Sequence, residues 1–383
     1  MSIIDTIKNA ISSGVSSVGS SGDSVLGIDI GTSTIKVVQL KKHKGQAILE
    51  TYGEIALGPY IDTEIGRVTR LQPQDLANAL IDLMKEANVT AKDVGISIPF
   101  ASSLTSVVEF PDVGDAKLKQ MIPLEARKYI PVPINEVMLD WVIIPKDPIE
   151  QEWRRSQGED KSNNDKIEVL LVAIHNEVLN NYQTIVSTAN LNVGFYELEI
   201  FSTIRSSLGH GIAPVMIVDI GASATKVYIV ERGIVRISHL INIGSQEMTL
   251  ALTRAFNWNF EHSERMKREH GIRDGYSGED IDTHKKITDI LLSTLGRIFA
   301  EVNRVLLMYE KKYGKDVSRV VLSGGGANLP GMSAFVKKEV PVEVELADPF
   351  SKIVAPAFLD QVLNEVGPEF AVAIGAALRK LKM

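Results

Sequence analysis

The sequence contains no cysteine, which excludes disulfide bonds and thiolate metal sites. No apolar run is long enough to span a membrane, and the first residues, MSIIDTIKNA, lack the basic region and continuous apolar core of a signal peptide. Long Lys/Arg-rich runs are also missing, and the formal net charge of −7 argues against a nucleic-acid binder. We therefore expect a cytoplasmic protein in a reducing compartment.

An internal repeat organises the chain. DIGTSTIKVV at residues 29–38 returns as DIGASATKVY at residues 219–228, with Asp, Ile, Gly, Ser, Lys and Val in register and similar apolar runs on both sides. The 383 residues suffice for two or more domains with large cores, and 44% of them are apolar, as in an ordinary globular protein. The repeat predicts two duplicated α/β halves with a ligand between them.

Each copy of the repeat is typical of a tight β-hairpin with strands at 25–30 and 35–40 in the first copy. A plain turn is the alternative, but turn geometry alone requires the glycine and not also the Asp, Ser and Lys of both copies. Amide N–H groups and hydroxyls at such tips can receive phosphate oxygens. The predicted phosphate-binding residues are Gly31, Thr32, Ser33, Thr34, Lys36, Gly221, Ala222, Ser223, Ala224, Thr225 and Lys226.

Two aspartates precede these tips, Asp29 and Asp219. A carboxylate repels a phosphate, so these side chains are not expected to bind the anion itself. They fit a Mg²⁺ ion held between the protein and the phosphates through water, because Mg²⁺ retains several of its waters in such sites. The sequence therefore predicts a clamp on a nucleoside triphosphate with magnesium.

Two later stretches are candidates for the rest of the nucleotide. In VSRVVLSGGGANLPGM (317–332), an apolar strand leads into Gly324, Gly325, Gly326 and Asn328, and Pro330 suits the first turn of a helix. A flexible loop is the alternative interpretation. HSERMKREHG (262–271) predicts a helix with Ser263 as a possible N-cap and with Glu264 and Lys267 one turn apart, for which a surface ion pair is the alternative.

Together these motifs resemble the phosphate-1, phosphate-2 and adenosine motifs of the superfamily that contains actin, heat-shock chaperones and sugar kinases. The resemblance implies an actin-like (ribonuclease H-like) fold of duplicated α/β domains with a cleft for ATP and Mg²⁺. It further implies that the glycine loop backs the adenine and that Glu264 and Lys267 touch the ribose. AVAIGAALRKL (371–381) resembles the final helix, which returns to the first half.

Catalysis is expected to be weak or dependent on a partner. In this superfamily the residue that orients the attacking water follows a strand and starts a connecting helix, and Glu199 in GFYELEIFSTIRSSLG matches that place best. Glu197 is the near rival. For either residue, an acid interacting with the dipole at a helix N-terminus is an equally acceptable interpretation.

Residues 93–191 predict an α+β insert, which resembles the extra subdomain of FtsA-like proteins. Within it, LEARKYIPVPINEVMLDW (124–141) resembles the EA-x-KYIP signature of the PilM family. This resemblance implies a cytoplasmic adaptor at the inner face of the inner membrane. It would bind a cytoplasmic peptide of a bitopic, PilN-like protein and link the alignment complex to the motor ATPases and platform protein of type IV pili.

The peptide groove of such an adaptor lies between the first half and the insert. Its candidates here are Leu124, Tyr129, Ile130 and Pro131, although we expect Tyr129 to pack into the core instead. A filament-forming protein similar to FtsA or MreB is the second interpretation of the chain. Residues RKLKM directly follow the last helix, where FtsA proteins have a linker and a basic amphipathic helix. A small-molecule kinase is third, because a zinc-binding cysteine cluster is absent.

The predicted domain division follows from these motifs. Residues 25–92 and 192–212 form the first half, 93–191 the insert, 213–368 the second half, and 369–383 the returning helix. Residues 1–24 form a tail in which Ile3, Ile4, Ile7, Ile11, Val15 and Val18 recur at helical spacing, which favours an amphipathic helix, whereas Gly14 and many serines favour a mobile tail. Residues 145–166 predict a solvated loop.

Overall fold

The computed structural model describes residues 24–145, 166–209, 211–273 and 281–382. The predicted tail and nearly all of the predicted loop of 145–166 lie outside these residues. The strands are β1 Ser24–Ile30, β2 Thr34–His43, β3 Gln46–Ala56, β4 Asp93–Ile98, β5 Ser103–Pro111, β6 Val137–Ile144, β7 Lys166–His175, β8 Asn192–Leu198, β9 Val215–Ile220, β10 Thr225–Glu231, β11 Ile234–Ile241, β12 Arg319–Ser323 and β13 Glu343–Leu346. The helices are α1 Pro73–Glu86, α2 Asp115–Glu125, α3 Asn176–Thr188, α4 Glu199–Ser207, α5 Ser245–Phe256, α6 Phe260–His270, α7 Ile281–Tyr313, α8 Met332–Glu339 and α9 Asp360–Leu381.

Two five-stranded sheets repeat one topology. The first has the order β3-β2-β1-β4-β8 and the second the order β11-β10-β9-β12-β13. In each sheet the first three strands of the half are antiparallel neighbours, and the last two add in parallel. This equivalence confirms the duplicated α/β fold that the sequence repeat predicts. It also explains why β1 and β9 are continuous apolar runs, because both are central strands covered on two faces.

Helix α9 covers one face of the first sheet at unusually short distance. A Cβ atom added to Gly27 of β1 would lie 2.0 Å from the carbonyl oxygen of Ala373, and one added to Gly375 would lie 1.9 Å from that of Ser202 in α4. Glycines at these two contacts let the backbones of α9, β1 and α4 approach directly. The helix predicted to return to the first half begins at Asp360 and not at residue 369.

The insert is shorter than the predicted 93–191. Strand β4 lies in the first sheet between β1 and β8, and α3 packs beside α1 on that sheet. The separate subdomain consists of the three-stranded sheet β5-β7-β6 and α2, whose buried residues include Leu118 and Ile122. The predicted start of the insert at residue 93 is too early, because only a short 3-10 turn at Phe100–Ser102 separates β4 of the first sheet from β5 of the insert.

The insert also contacts the second half. Thr105 Oγ1 of β5 lies 2.9 Å from Ser238 Oγ of β11. Glu168 of β7 accepts hydrogen bonds from Lys312 Nζ at 2.9 Å and from the Tyr313 hydroxyl at 3.0 Å, both at the end of α7. The insert therefore connects the two halves on the side away from the hairpin tips.

Replacing Gly375 with alanine tests the close contact of α9. The added methyl group has no room beside the Ser202 carbonyl, so we expect Gly375→Ala to lower the free energy of unfolding by about 3 kcal/mol or more. The matched control is Gly296→Ala, in the helix α7, where a Cβ atom meets nothing within 4 Å. That change should raise stability by about 0.5–1 kcal/mol. Urea denaturation measures both, and equal effects of the two changes would contradict the packing described.

Candidate functional site

The two repeated hairpins have the same turn and meet at their tips. The Gly31 N–H donates to the Thr34 carbonyl at 2.9 Å, and the Gly221 N–H donates to the Ala224 carbonyl at 3.0 Å. Thr32 Oγ1 of the first tip lies 3.3 Å from Ser223 Oγ of the second. The two tips therefore adjoin at Thr32 and Ser223, whereas the hydroxyl of buried Thr225 donates to the Ile243 carbonyl at 2.8 Å within the second half.

Lys226 is the centre of the charged groups beneath the tips. Its Nζ lies 2.9 Å from Asp219 Oδ2 and 2.9 Å from Glu199 Oε2, and all three side chains are largely buried. Burial alone would lower the pKa of Lys226, but the charges of Asp219 and Glu199 outweigh it and raise that pKa. The other oxygen of Glu199 accepts the Phe100 N–H at 2.7 Å. Glu199 thus ties the first half to the second.

The first hairpin has the same aspartate and lysine as the second but a different ion pair. Asp29 and Lys36 are direct cross-strand neighbours, as Asp219 and Lys226 are. Lys36 Nζ, however, binds Glu54 Oε1 of β3 at 2.9 Å and Thr34 Oγ1 at 2.7 Å. Asp29 is left with a long hydrogen bond from Ser97 Oγ at 3.4 Å. The two hairpins therefore have the same strand register but different ion pairs.

Asp29 is half-buried and has no ion-pair partner among the described residues. Burial, helped by the charge of Glu199, raises the pKa of Asp29 to about 6, although Lys36 and Lys226 act in the opposite direction. A nearby cation would stabilise the ionised form of Asp29. Among the described residues, no three His, Asp or Glu side chains converge as a metal-binding group. A Mg²⁺ ion beside Asp29 would therefore need water and phosphate oxygens as its other ligands.

The glycine loop after β12 lies against the end of β9. A Cβ atom on Gly324, which has φ +80°, would lie 2.3 Å from Asp219 Oδ1, and one on Gly326 would lie 2.3 Å from Ile220 Cγ2. These two glycines are required by the fold itself. The structure therefore holds the loop in a fixed shape.

Gly325 is the exposed member of the loop. A Cβ atom there would meet only Glu369 Oε2 of α9, at 3.4 Å. The 3-10 turn of Gly325–Asn328 follows, and Asn328 is half-buried. The next helix starts later than predicted: Gly331, with φ +91°, is the N-cap of α8, so Pro330 precedes the helix and is not in its first turn.

Glu264 and Lys267 form a buried ion pair on α6, with 2.6 Å between Lys267 Nζ and Glu264 Oε2. Thr249 Oγ1 of α5 donates to the same carboxylate oxygen at 2.5 Å, and Arg268 Nε donates to the other oxygen at 2.7 Å. The surface interpretation of this pair is therefore wrong. The predicted N-cap is also wrong, because the helix begins at Phe260 and its cap is Asn259, whose side chain accepts the His262 N–H.

A segment that the sequence did not single out crosses between the halves. In the connection between β3 and α1, the Val68 N–H donates to Gln246 Oε1 of α5 at 2.6 Å, and the Arg67 guanidinium lies 4.4 Å from the centre of the Phe260 ring. A Cβ atom on Gly66 would lie 3.2 Å from the Glu264 carboxyl carbon. We call residues 62–69 the crossing segment. Its sequence has no periodicity, so only three-dimensional contacts identify it.

Glu197, the rival catalytic candidate, is part of the core. Its carboxylate accepts hydrogen bonds from Ser202, Arg205 and Arg379, the last of these on α9. Burial alone would raise the pKa of Glu197, but the two guanidinium groups hold it below its usual value. The two arginines and Ser202 bind both oxygens, so Glu197 joins β8, α4 and α9.

The candidate groove residues divide into exposed and buried ones. Leu124 is 62% exposed and Tyr129 is 47% exposed, whereas Ile130 is buried at 6%. The expectation that Tyr129 packs into the core is therefore wrong. Pro131 is exposed, and Met138 of β6, which the sequence did not indicate, is 43% exposed. The insert thus presents large apolar side chains to solvent.

Comparison with known proteins gives one family and several structures of similar fold. The family described as type IV pilus assembly protein PilM matches residues 27–381. A solved structure titled "PilM-PilN type IV pilus biogenesis complex" is similar with a TM-score of 0.75 and 22% identity, over 93% of this chain and 98% of that one. Ethanolamine utilization protein EutJ from Carboxydothermus hydrogenoformans is similar with a TM-score of 0.53 and 14% identity, over 94% and 90% of the two chains.

The two repeated aspartates should respond oppositely to neutralisation. Asp29→Asn removes a half-buried charge and should raise the free energy of unfolding by about 2 kcal/mol at pH 8, because the folded-state pKa exceeds the unfolded value. The stability that protonated Asp29 contributes is complete below about pH 4 and is lost as pH rises through 6, so the advantage of Asn should vanish at low pH. Asp219→Asn should instead lower stability by about 1–3 kcal/mol, since Lys226 loses one of two carboxylates.

Urea denaturation of the ligand-free protein at several pH values measures these differences. Equal signs for the two substitutions at pH 8 would contradict the asymmetry between the hairpins.

Proposed function

Because this chain belongs to the PilM family of type IV pilus assembly proteins, we propose that it is a cytoplasmic, ATP-binding adaptor at the inner face of the inner membrane. In this proposal it docks a cytoplasmic peptide of a PilN-like membrane protein and links the alignment complex to the motor ATPases and platform protein. The observation that carries the nucleotide part is the meeting of the two hairpin tips, with Thr32 Oγ1 and Ser223 Oγ 3.3 Å apart. The part of the proposal that concerns type IV pili rests on the family match.

The cleft residues fit a bound Mg·ATP. The N–H groups and hydroxyls of both tips would hold the phosphates, and Asp29 would face the magnesium ion, directly or through water. Magnesium, when bound, would neutralise phosphate charge. Gly325 is the exposed loop position against which a flat base can lie, and Glu264 with Lys267 would border the ribose.

Slow or partner-dependent hydrolysis follows from the state of Glu199. This residue starts α4 and is the proposed group that orients the attacking water. One of its oxygens accepts the Phe100 N–H and the other binds Lys226 Nζ. A carboxylate neutralised by a lysine attracts a water proton weakly, so turnover would require Lys226 to move away from it.

Exposed apolar side chains on the insert support the peptide part of the proposal. Leu124 and Tyr129 lie at the end of α2 and just beyond it, and Met138 is on β6. Large exposed apolar groups of this kind mark interaction sites. The similar structure named above is a complex of PilM with PilN. We therefore assign Leu124 and Tyr129 to the docking surface for a PilN-like peptide.

The insert would also sense the nucleotide. Glu168 of β7 binds Arg236 of β11 at 3.2 Å as well as Lys312 of α7 at 2.9 Å. A nucleotide that rotates one half relative to the other would either move the insert together with the second half or break these contacts. Peptide affinity and nucleotide affinity would then be coupled through one free energy.

Gly325→Val tests the nucleotide site. The larger side chain has room in the ligand-free fold, so the melting temperature should change little, whereas Mg·ATP affinity should fall at least about tenfold because the side chain occupies the base position. Titration with a fluorescent ATP analogue gives the affinity, and Gly325→Ala provides an intermediate step. Unaltered affinity in the valine variant would place the base elsewhere.

Leu124→Asp combined with Tyr129→Asp tests the docking surface. Both side chains are exposed, so folding and ATP affinity should be preserved, while affinity for a synthetic PilN-like cytoplasmic peptide should fall by about tenfold or more. The matched control is Leu307→Asp on α7, where the leucine is 64% exposed on the second half. Calorimetric titration measures the affinities. Equal loss in the control, or retained binding in the double variant, would contradict the assignment.

A further inference from the structure

Glu369 places a carboxylate beside the glycine loop of the cleft. It belongs to α9, and a Cβ atom added to Gly325 would lie 3.4 Å from its Oε2 atom. The preceding residue holds it there, because the Pro368 carbonyl accepts hydrogen bonds from the Gly324 N–H at 2.8 Å and from Ser323 Oγ at 3.1 Å. The side chain of Glu369 therefore borders the exposed loop position at which the base of the nucleotide is proposed to lie.

The Glu369 carboxylate has no protein partner in the ranges that the structure describes: no hydrogen bond or ion pair joins it to another residue there. Burial raises the pKa of Glu369, while the charges of Lys36 and Arg268 act in the opposite direction. Each of these cations is bound by a different acid. Lys36 Nζ lies 2.9 Å from Glu54 Oε1. Arg268 Nε lies 2.7 Å from Glu264 Oε1. Glu369 is therefore an acceptor for which the described fold supplies no donor.

The helix itself does not require an acid at this position. A helix dipole favours acids in the first turn, but α9 begins at Asp360 and Glu369 lies well beyond that turn. The side chain is half-buried, and a carboxylate that loses water without gaining a partner reduces the stability of the fold. Groups that break a local rule in this way are concentrated at functional sites. The unpaired carboxylate therefore indicates a contact with a ligand.

The chemistry of a carboxylate restricts what can bind beside Gly325. An ionised carboxylate only accepts hydrogen bonds, so a ligand must offer N–H or O–H donors there. Phosphate oxygens carry like charge and are repelled from this position. In the proposed site the ribose lies at Glu264 and Lys267, which leaves the base as the source of the donor. Adenine and guanine both carry an exocyclic amino group that donates hydrogen bonds, each on a different edge of the ring.

We propose that Glu369 accepts a hydrogen bond from the exocyclic amino group of a bound purine and thereby selects an amino-purine nucleotide. This inference rests on the proposed function, because it concerns the same cleft. The amino group satisfies the carboxylate that the fold leaves unpaired. A purine without an amino group covers that carboxylate and leaves it without a donor. A lost hydrogen bond to a charged group lowers affinity by about tenfold or more.

Calorimetric titration of the full chain in the presence of Mg²⁺ tests this role. The probes are ATP, GTP and purine riboside triphosphate, which has a hydrogen atom in place of the amino group of ATP. We expect ATP or GTP to bind at least about tenfold tighter than purine riboside triphosphate. A preference for ATP assigns the contact to the amino group of adenine, and a preference for GTP assigns it to that of guanine. Glu369→Ala should bind all of these nucleotides with similar affinity, whereas Glu369→Gln keeps an acceptor oxygen and should keep part of the preference.

The matched control is Glu365→Ala, which removes an exposed carboxylate one turn earlier on α9 and should leave the preference unchanged. Glu369→Ala should not lower the melting temperature, because the carboxylate it removes has no partner among the described residues. Equal affinities of the unmodified chain for all of the nucleotides, an undiminished preference in Glu369→Ala, or an equal loss in the control would overturn the role of Glu369 alone. An unmodified chain that binds none of the nucleotides would overturn the proposed function and this inference with it, so the two failures are distinguishable.

Discussion

The buried ammonium group of Lys226 is the interaction on which the arrangement of the cleft depends. It lies between a carboxylate of its own half, Asp219, and a carboxylate of the other half, Glu199. Two acids in a low-dielectric environment would repel each other without a cation between them, and a lone buried lysine would lose its proton. Because Glu199 also accepts the Phe100 N–H, this ion triad fixes the entry of the connecting helix relative to both sheets.

Duplication explains why the two halves have the same backbone. Their ion pairs differ because the two equivalent lysines bind different carboxylates. Both hairpins pair Asp with Lys across the same register, yet Lys36 binds Glu54 of the neighbouring strand while Lys226 binds its own aspartate. Because Glu54 on β3 binds Lys36, Asp29 of the first hairpin is left without an ion pair. Asp219 of the second hairpin is neutralised by Lys226. An asymmetric ligand between the hairpins, such as a nucleoside triphosphate, would therefore meet different charged groups on the two sides.

The repeat and the strand patterns were sufficient to predict the duplicated sheets and the meeting of the hairpins, because apolar runs and turn residues act locally. The limits of the insert were wrong, since β4 and β5 are adjacent in sequence and only long-range pairing assigns β4 to the first sheet. Burial of the Glu264–Lys267 pair depends on α5 and the crossing segment, which no local pattern encodes. Tyr129 is the opposite case: an aromatic residue is expected in the core, but the fold leaves this side chain 47% exposed.

The crossing segment has a kinetic meaning beyond its contacts. It holds α5 and α6 to the first half through the Val68–Gln246 hydrogen bond and the Arg67–Phe260 stacking, and Thr69 fastens it to the Thr32 carbonyl of the first tip. If the proposed nucleotide enters between the halves on this side, these contacts must separate before it reaches Glu264. The rate of exchange would then follow how often the segment detaches, independently of the affinity of the bound state.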